Sequence, residues 1–228
     1  MEPPKKLLIT CDSHGTNWGC IGYAELIRKS LEDKNWEVTT LAFPGLSLRK
    51  AAPSIIASLE TKYDAVIIGL GNPDIHPRIP KKIIASLKKI GIRNIRDSYF
   101  SVPPFLSLSY FARLPLFILR LILIRFYKET YLSQNEIKRV LSKIIDVSLK
   151  KSKKTIIIPT FKINEKVYGT DHNTRSTDIN NYLINNYTEH IVNPQKKANY
   201  NIDFFHFKQN FQDNLCCVIL KKIHHAQN

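Results

Sequence analysis

Two short stretches at opposite ends of this 228-residue chain carry the side chains best suited to covalent chemistry: Cys11-Asp12-Ser13-His14-Gly15 and Asp203-Phe204-Phe205-His206. Serine is a weak nucleophile at neutral pH. It needs a base within hydrogen-bond reach and a third group that fixes the tautomer of that base. Ser13, His206 and Asp203 supply those three parts if the two ends meet in space. Ser13 follows a short apolar run and precedes a helical segment, where backbone N–H groups point outward; the plainer reading is that Asp12 or Ser13 caps that helix. Acyl transfer further requires donors for a developing oxyanion. Gly45, within Phe43-Pro44-Gly45-Leu46-Ser47, and Asn72, within Gly69-Leu70-Gly71-Asn72-Pro73-Asp74, are the candidates.

The elements that must position these groups can be read from periodicity. Lys6 to Thr10, Val38 to Phe43, Ala65 to Leu70 and Thr155 to Phe161 are short apolar runs bounded by turn formers and predict strands. Between them, Trp18 to Leu31 predicts a helix with Tyr23, Ile27 and Leu31 on one side. Pro80, a stripe of Ile83, Ile84, Leu87 and Ile90, and then Gly91 give a start, a face and a stop. Ser133-Gln134-Asn135-Glu136 has capping-box spacing ahead of Ile137, Val140, Leu141, Ile144 and Ile145. A terminal helix carries Phe207, Phe211, Leu215, Val218 and Ile223. Strand–helix alternation predicts an α/β domain whose largely parallel sheet is covered on both faces, with chemistry in the loops at the carboxyl ends of its strands.

Composition bounds the classes. The chain is 43% hydrophobic with 8 Gly and 12 Pro, which excludes fibrous and generally disordered proteins and suits one domain over residues 1–228. Four cysteines, Cys11, Cys20, Cys216 and Cys217, have neither disulfide-framework nor zinc-ribbon spacing, so a reducing compartment is expected. The start shows no signal-peptide pattern. The net charge of +15 raises an acidic partner or surface, or coding bias alone. Residues 98–130 form an apolar and basic insertion. Leu114, Phe117, Ile118, Leu121, Ile122 and Ile124 are apolar nearly all round a helix, which predicts a buried or oligomer-forming segment. Arg113, Arg120 and Arg125 offer instead an interfacial lid on an anionic membrane. Pro115 and the arginines keep this tract from spanning a bilayer.

In order and spacing, these blocks resemble the SGNH (GDSL-like) hydrolase superfamily across nearly the whole chain. Cys11-Asp12-Ser13 is similar to its Gly-Asp-Ser block, Gly45 to its second-block glycine and Asp203-x-x-His206 to its last block. The resemblance implies a flavodoxin-like three-layer α/β/α sandwich with a mainly parallel five-stranded sheet, and ester hydrolysis or acyl transfer without a metal or other cofactor. It implies Ser13 as nucleophile, His206 as base, Asp203 as its orienter, and Ser13, Gly45 and Asn72 as oxyanion donors. The sequence departs in having Cys11 for the first-block glycine and Pro73 at the third-block asparagine, which places Asn72 one residue early. Gly71-x-x-Asp74-x-x-Pro77-Arg78 is closer to a variant of bacterial surface-polysaccharide gene clusters, which implies an acylated sugar or polysaccharide substrate and makes Arg78 a substrate-binding candidate.

Other readings compete. Asp12-Ser13-His14-Gly15 also resembles the Asp-x-His-Gly opening of calcineurin-like metallophosphoesterases, with Asp12 and His14 as metal ligands and Asp74, His76, Asp171 and His172 as further ones. That family's later blocks are absent. Asp171-His172 rivals Asp203 and His206 as an acid–base pair, but its Asn/Thr-rich surroundings predict a surface loop. Gly69-Leu70-Gly71 lacks the third glycine of a dinucleotide site, and scattered Lys and Arg give no nucleic-acid signature. The reading adopted is a cytoplasmic serine esterase, peripheral to the inner membrane face in the lid reading, that removes an O-acyl group, acetyl first, from a sugar of a bacterial surface polysaccharide or its precursor. The alternatives are a polysaccharide O-acyltransferase on the same three residues, a metal-dependent phosphoesterase using Asp12 and His14, and a non-catalytic polysaccharide-biosynthesis protein.

Overall fold

The computed structural model describes residues 3–89, 118, 121–194, 199–201, 203 and 205–224. Four strands, β1 (Lys5–Cys11), β2 (Trp36–Ala42), β3 (Tyr63–Gly69) and β4 (Ser152–Ile157), form a parallel sheet in the order β2-β1-β3-β4. The helices are α1 (Tyr23–Leu31), α2 (Leu48–Ser58), α3 (Asn72–Ile75), α4 (Lys81–Lys89), α5 (Gln134–Lys151), α6 (Glu165–Tyr168), α7 (Asp171–Tyr187) and α8 (Gln209–His224).

The pleat explains the layers. Leu7, Ile9 and Cys11 point to one face and pack with α1 and α8, whereas Leu8 points to the other and packs with α2, α5 and α7. Because both faces are covered, β1 and β3 need unbroken apolar runs rather than alternation, and Leu7, Leu8, Ile9, Val66 and Ile67 are fully buried. The result is the expected three-layer α/β/α sandwich. The sheet has four strands among the described residues rather than the five expected. Among the described residues the fifth position holds one parallel bridge, Ile157 to Ile191, with the Val192 N–H donating to the Ile157 carbonyl at 2.9 Å. Two residues later Pro194 has no N–H with which to extend a ladder.

Three other expectations change. The helix expected from Trp18 begins at Tyr23, because Gly22 passes so close to the loop after β1 that a Cβ there would lie 2.3 Å from the Gly15 carbonyl oxygen. The fourth strand lies earlier, at Ser152–Ile157, ahead of Pro159. Asp171-His172 begins the helix α7 rather than lying in a surface loop, and His172 is fully buried. The capping box at Ser133 and Glu136 is present.

Most of the apolar and basic insertion lies outside the described residues. Within residues 118 and 121–126, which are helical, Ile124 is buried against Ile79, Ile84 and Phe205, while Ile118, Ile122 and Phe126 are exposed. Among the described residues, no helix is long and apolar enough to cross a membrane.

Candidate active site

The chain runs from β1 outward to β2 and then back across β1 to β3, so the sheet has its topological switch point between β1 and β3. A crevice opens at the carboxyl ends of such strands. The loops after β1 and β3 contain Asp12-Ser13 and Asn72, and two sets of contacts bring the far end of the chain to them.

Gln212 on α8 bridges the ends directly: its Nε2 donates to the His14 carbonyl at 2.9 Å and its Oε1 accepts the Tyr23 N–H at 3.0 Å. Just before α8, the Asn201 N–H donates to the His206 carbonyl, and Tyr200 and Phe207 form an antiparallel bridge. Asp203 Oδ1 accepts the N–H groups of Phe205 and His206 at 3.0 and 2.9 Å. That is the local aspartate turn which holds the His206 backbone.

Ser13, His206 and Asp203 meet in line. Ser13 Oγ lies 3.0 Å from His206 Nε2, and His206 Nδ1 lies 2.5 Å from Asp203 Oδ2. Burial by itself would raise the Asp203 pKa. The hydrogen bond and charge of His206, with the N–H groups of Phe205 and His206, outweigh it and hold the carboxyl below its ordinary value. An ionised Asp203 accepts the Nδ1 proton, leaving Nε2 bare to accept from the Ser13 hydroxyl. Trp18 braces the pair: its indole N–H donates to Asp203 Oδ2 at 3.1 Å, and its ring lies 4.9 Å from that of His206. Tyr168 donates to the Asp203 carbonyl at 2.7 Å. Sequence reasoning missed Trp18, Tyr168 and Gln212; an aromatic shortly after a candidate serine was the one available signal.

Asp12 is turned inward. Its Oδ1 accepts the His14 N–H at 3.0 Å, and its Oδ2 accepts both the backbone N–H and the side-chain Nδ2 of Asn72, at 3.2 and 2.8 Å. Asn72 Oδ1 in turn accepts the Phe161 N–H at 2.8 Å. The Asn72 amide therefore ties the loop after β3 to Asp12 in the loop after β1 and to Phe161 beyond β4, which commits its oxygen and one of its two N–H donors to holding loops together. A second strut lies behind it. His172 Nε2 is 2.9 Å from the Phe161 carbonyl and so donates to it. Burial pushes His172 down to about 4, so the ring is neutral and its Nδ1 accepts the Nδ1 proton of His76, 3.3 Å away.

Gly45 occupies the corner of a tight turn closed by the Leu46 N–H donating to the Phe43 carbonyl at 3.2 Å. Its φ of +70° suits the third residue of a type II turn after Pro44. A Cβ there would meet nothing within 4 Å, so Gly45 borders open space. The turn is anchored beside the first loop by the Phe43 N–H donating to the Cys11 carbonyl at 2.8 Å. Cys11 fits where the resemblance implies glycine because Gly15 faces it: a Cβ on Gly15 would lie 2.6 Å from Cys11 Cβ. Burial and then Asp12 push the Cys11 thiol up to about 12, so it is not a nucleophile at neutral pH.

Arg78 is 4% exposed. Its Nη2 donates to the Pro73 carbonyl at 2.6 Å and its guanidinium lies 4.1 Å from the centre of the Tyr131 ring, so it braces the loop after β3. The residues considered as metal ligands are spread over different roles. Asp12 holds Asn72, His14 lies among the rings of Phe161, Phe205, His206 and Phe207, and Asp171 pairs with Lys128. Among the described residues, no three His, Cys, Asp or Glu side chains are arranged to hold a metal ion.

No family model and no curated protein matches the sequence. Solved structures do match, over nearly their whole length. A lipase/acylhydrolase from Enterococcus faecalis is 14% identical with a TM-score of 0.60, covering 97% of this chain and 96% of its own. A member of the lipolytic G-D-S-L family from Veillonella parvula is 13% identical with a TM-score of 0.58, covering 95% and 97%. A variant of an acetyl-xylooligosaccharide esterase from Geobacillus is 15% identical with a TM-score of 0.56, covering 98% and 96%. A parallel sheet between two helical layers, with these neighbours, gives this chain the SGNH hydrolase fold.

Proposed function

We propose that this chain is a serine-dependent carboxylic-ester hydrolase that removes an O-acyl group, acetyl first, from a sugar of a bacterial surface polysaccharide or its precursor. The observation that carries the reading is the line from Ser13 Oγ through His206 to Asp203, at 3.0 and 2.5 Å, at the switch point of a fold shared with esterases and acylhydrolases. Sugar specificity draws on the acetyl-xylooligosaccharide esterase among the neighbours and on the Gly71-to-Arg78 block.

In this mechanism His206 Nε2 takes the Ser13 proton as Oγ attacks the acyl carbonyl. The imidazolium formed is stabilised by Asp203, and the carbonyl oxygen becomes an oxyanion met by the N–H groups of Ser13 and Gly45. His206 then returns its proton to the departing sugar oxygen, leaving an acyl-serine. Water attacks that ester as Nε2 takes one of its protons, and the C–Oγ bond then breaks to release the acid as Nε2 returns that proton to Ser13 Oγ. A sugar hydroxyl in place of water would make the same site an acyltransferase, so the acceptor decides between the two.

The test is turnover of a short-chain aryl acetate and of acetylated glycans by wild type and Ser13→Ala. Turnover is expected to fall by about 10⁴-fold or more with the melting temperature unchanged. A variant that keeps wild-type turnover would end the assignment.

A further inference from the structure

We propose that the cleft beside Gly45 is a subsite for an anionic group, phosphate or carboxylate, carried by the sugar half of the ester. The inference rests on the reading of Ser13 as nucleophile for its link to turnover, but the subsite itself can be tested by binding alone. The cleft has a volume of about 480 Å³ and shares Gly45 with the turn anchored next to the first loop.

Its walls come from two helices. Lys81, Ile84, Ala85 and Lys88 on α4 all line it, and their spacing places them on one helix face. The opposite wall is the first turn of α2, where Ser47, Arg49 and Lys50 line the cleft. The Leu48 N–H at that helix end is already taken by Asp74 Oδ2 at 2.9 Å, so what α2 brings to the cleft is the side chains of Arg49 and Lys50.

The charge is unbalanced. None of the described lining residues is a carboxylate. Arg49 is paired with Glu136, whereas Lys50, Lys81 and Lys88 have no ion-pair partner among the described residues. The cleft is not a general cation patch, because Tyr131, Leu132, Leu46 and Ile84 also line it. An aromatic ring backed by the Arg78 guanidinium, with lysines at the rim, suits a sugar ring that bears a negative charge better than a free ion or an uncharged glycan.

Two measurements test this. The first is equilibrium binding of glucose 1-phosphate, glucuronate and glucose to wild type and to Lys81→Ala/Lys88→Ala, whose altered side chains are exposed and lie outside the catalytic machinery. One or both anionic sugars are expected to bind about tenfold more tightly than glucose at low salt. That preference should fade as the ionic strength rises and disappear in the double variant. The phosphate and carboxylate arms decide which anion the cleft takes. Equal binding of all three sugars, or an anion preference that survives the double substitution, would overturn the proposal.

The second is kcat/KM for the acetyl esters of the same three sugars, with an aryl acetate as control. The anionic preference is expected to appear in KM and to be lost in the double variant, while aryl acetate turnover stays unchanged. Turnover of the aryl acetate with no preference among the sugar esters would sink the subsite and leave the hydrolase standing. Salt-sensitive anion binding with no ester turnover would do the reverse.

Discussion

The loops after β1 and β3 leave the same edge of the sheet and carry similar polar residues, yet they treat them in opposite ways. After β1, the Ser13 side chain is left reachable and the far end of the chain delivers a base to it, with His206 Nε2 at 3.0 Å. After β3, Asn72, Asp74 and Arg78 are buried at 2%, 0% and 4% exposure; Asn72 and Asp74 Oδ2 bond to neighbouring segments and Arg78 to the Pro73 carbonyl of its own loop. A hydrogen-bonding side chain near a reaction centre can thus serve as a reagent or as a strut. Its partners, more than its type, decide which.

The sharpest break of this contrast is at Asp203, whose carboxylate sets the His206 tautomer. Asp203→Asn keeps the volume and an oxygen for the Phe205 and His206 N–H groups, but favours the wrong tautomer. Ester turnover should fall by about 10³- to 10⁴-fold with little change in melting temperature. A small effect would mean that another group orients His206.

Next in size is Asn72→Ala. If the amide is a strut, the variant loses its bonds to Asp12 and Phe161 and leaves a buried carboxylate oxygen poorly satisfied. Unfolding stability should drop by about 3 kcal/mol, with kcat of the folded protein lowered by less than about tenfold. If the amide instead served the oxyanion, kcat would fall by about 10²- to 10³-fold at nearly unchanged stability. Denaturation together with kcat separates the two.

The smallest expected effect is at Asp74. Its Oδ2 accepts the Leu48 N–H at 2.9 Å, while Oδ1 is buried with no hydrogen-bond partner among the described residues. Burial raises this carboxyl to about 7 from its ordinary 3.8, with Asp12 adding to the rise. Between about pH 4 and 7 the folded chain therefore retains a proton that the unfolded chain has lost, so this group's contribution to stability declines as the pH rises through that window. Asp74→Asn should remove that decline and be more stable than wild type at pH 8 by about 2 kcal/mol, the surroundings relaxing part of the full shift. Parallel pH profiles for the two proteins would show that Asp74 is ionised throughout.

What the sequence disclosed follows the same division. β1 and β3 were legible because a strand buried on both faces must be apolar without interruption, and α5 because its capping box is a local device. Helix α7 was not. Its buried stripe includes His172, Asn173 and Ser176, polar residues whose partners, Phe161, Ile163 and Thr160, lie across space. A polar stripe satisfied by tertiary contacts looks like a loop in one dimension. At the site, the serine and the Asp-x-x-His block could be found because each is a compact pattern beside a predicted element. Trp18 could not be linked to Asp203, since 185 residues separate them. The inward turn of Asn72 depends on Asp12 and Phe161, which no spacing rule connects.

The central claim is that Ser13 Oγ is made nucleophilic by a histidine from the other end of the chain. The most direct measurement is intact-mass and peptide mapping after brief exposure to a fluorophosphonate, which bonds to an activated serine by displacing fluoride. The account predicts one adduct, on Ser13, formed quickly by wild type and very slowly by His206→Ala. An unlabelled Ser13, or one labelled equally fast without His206, would contradict it.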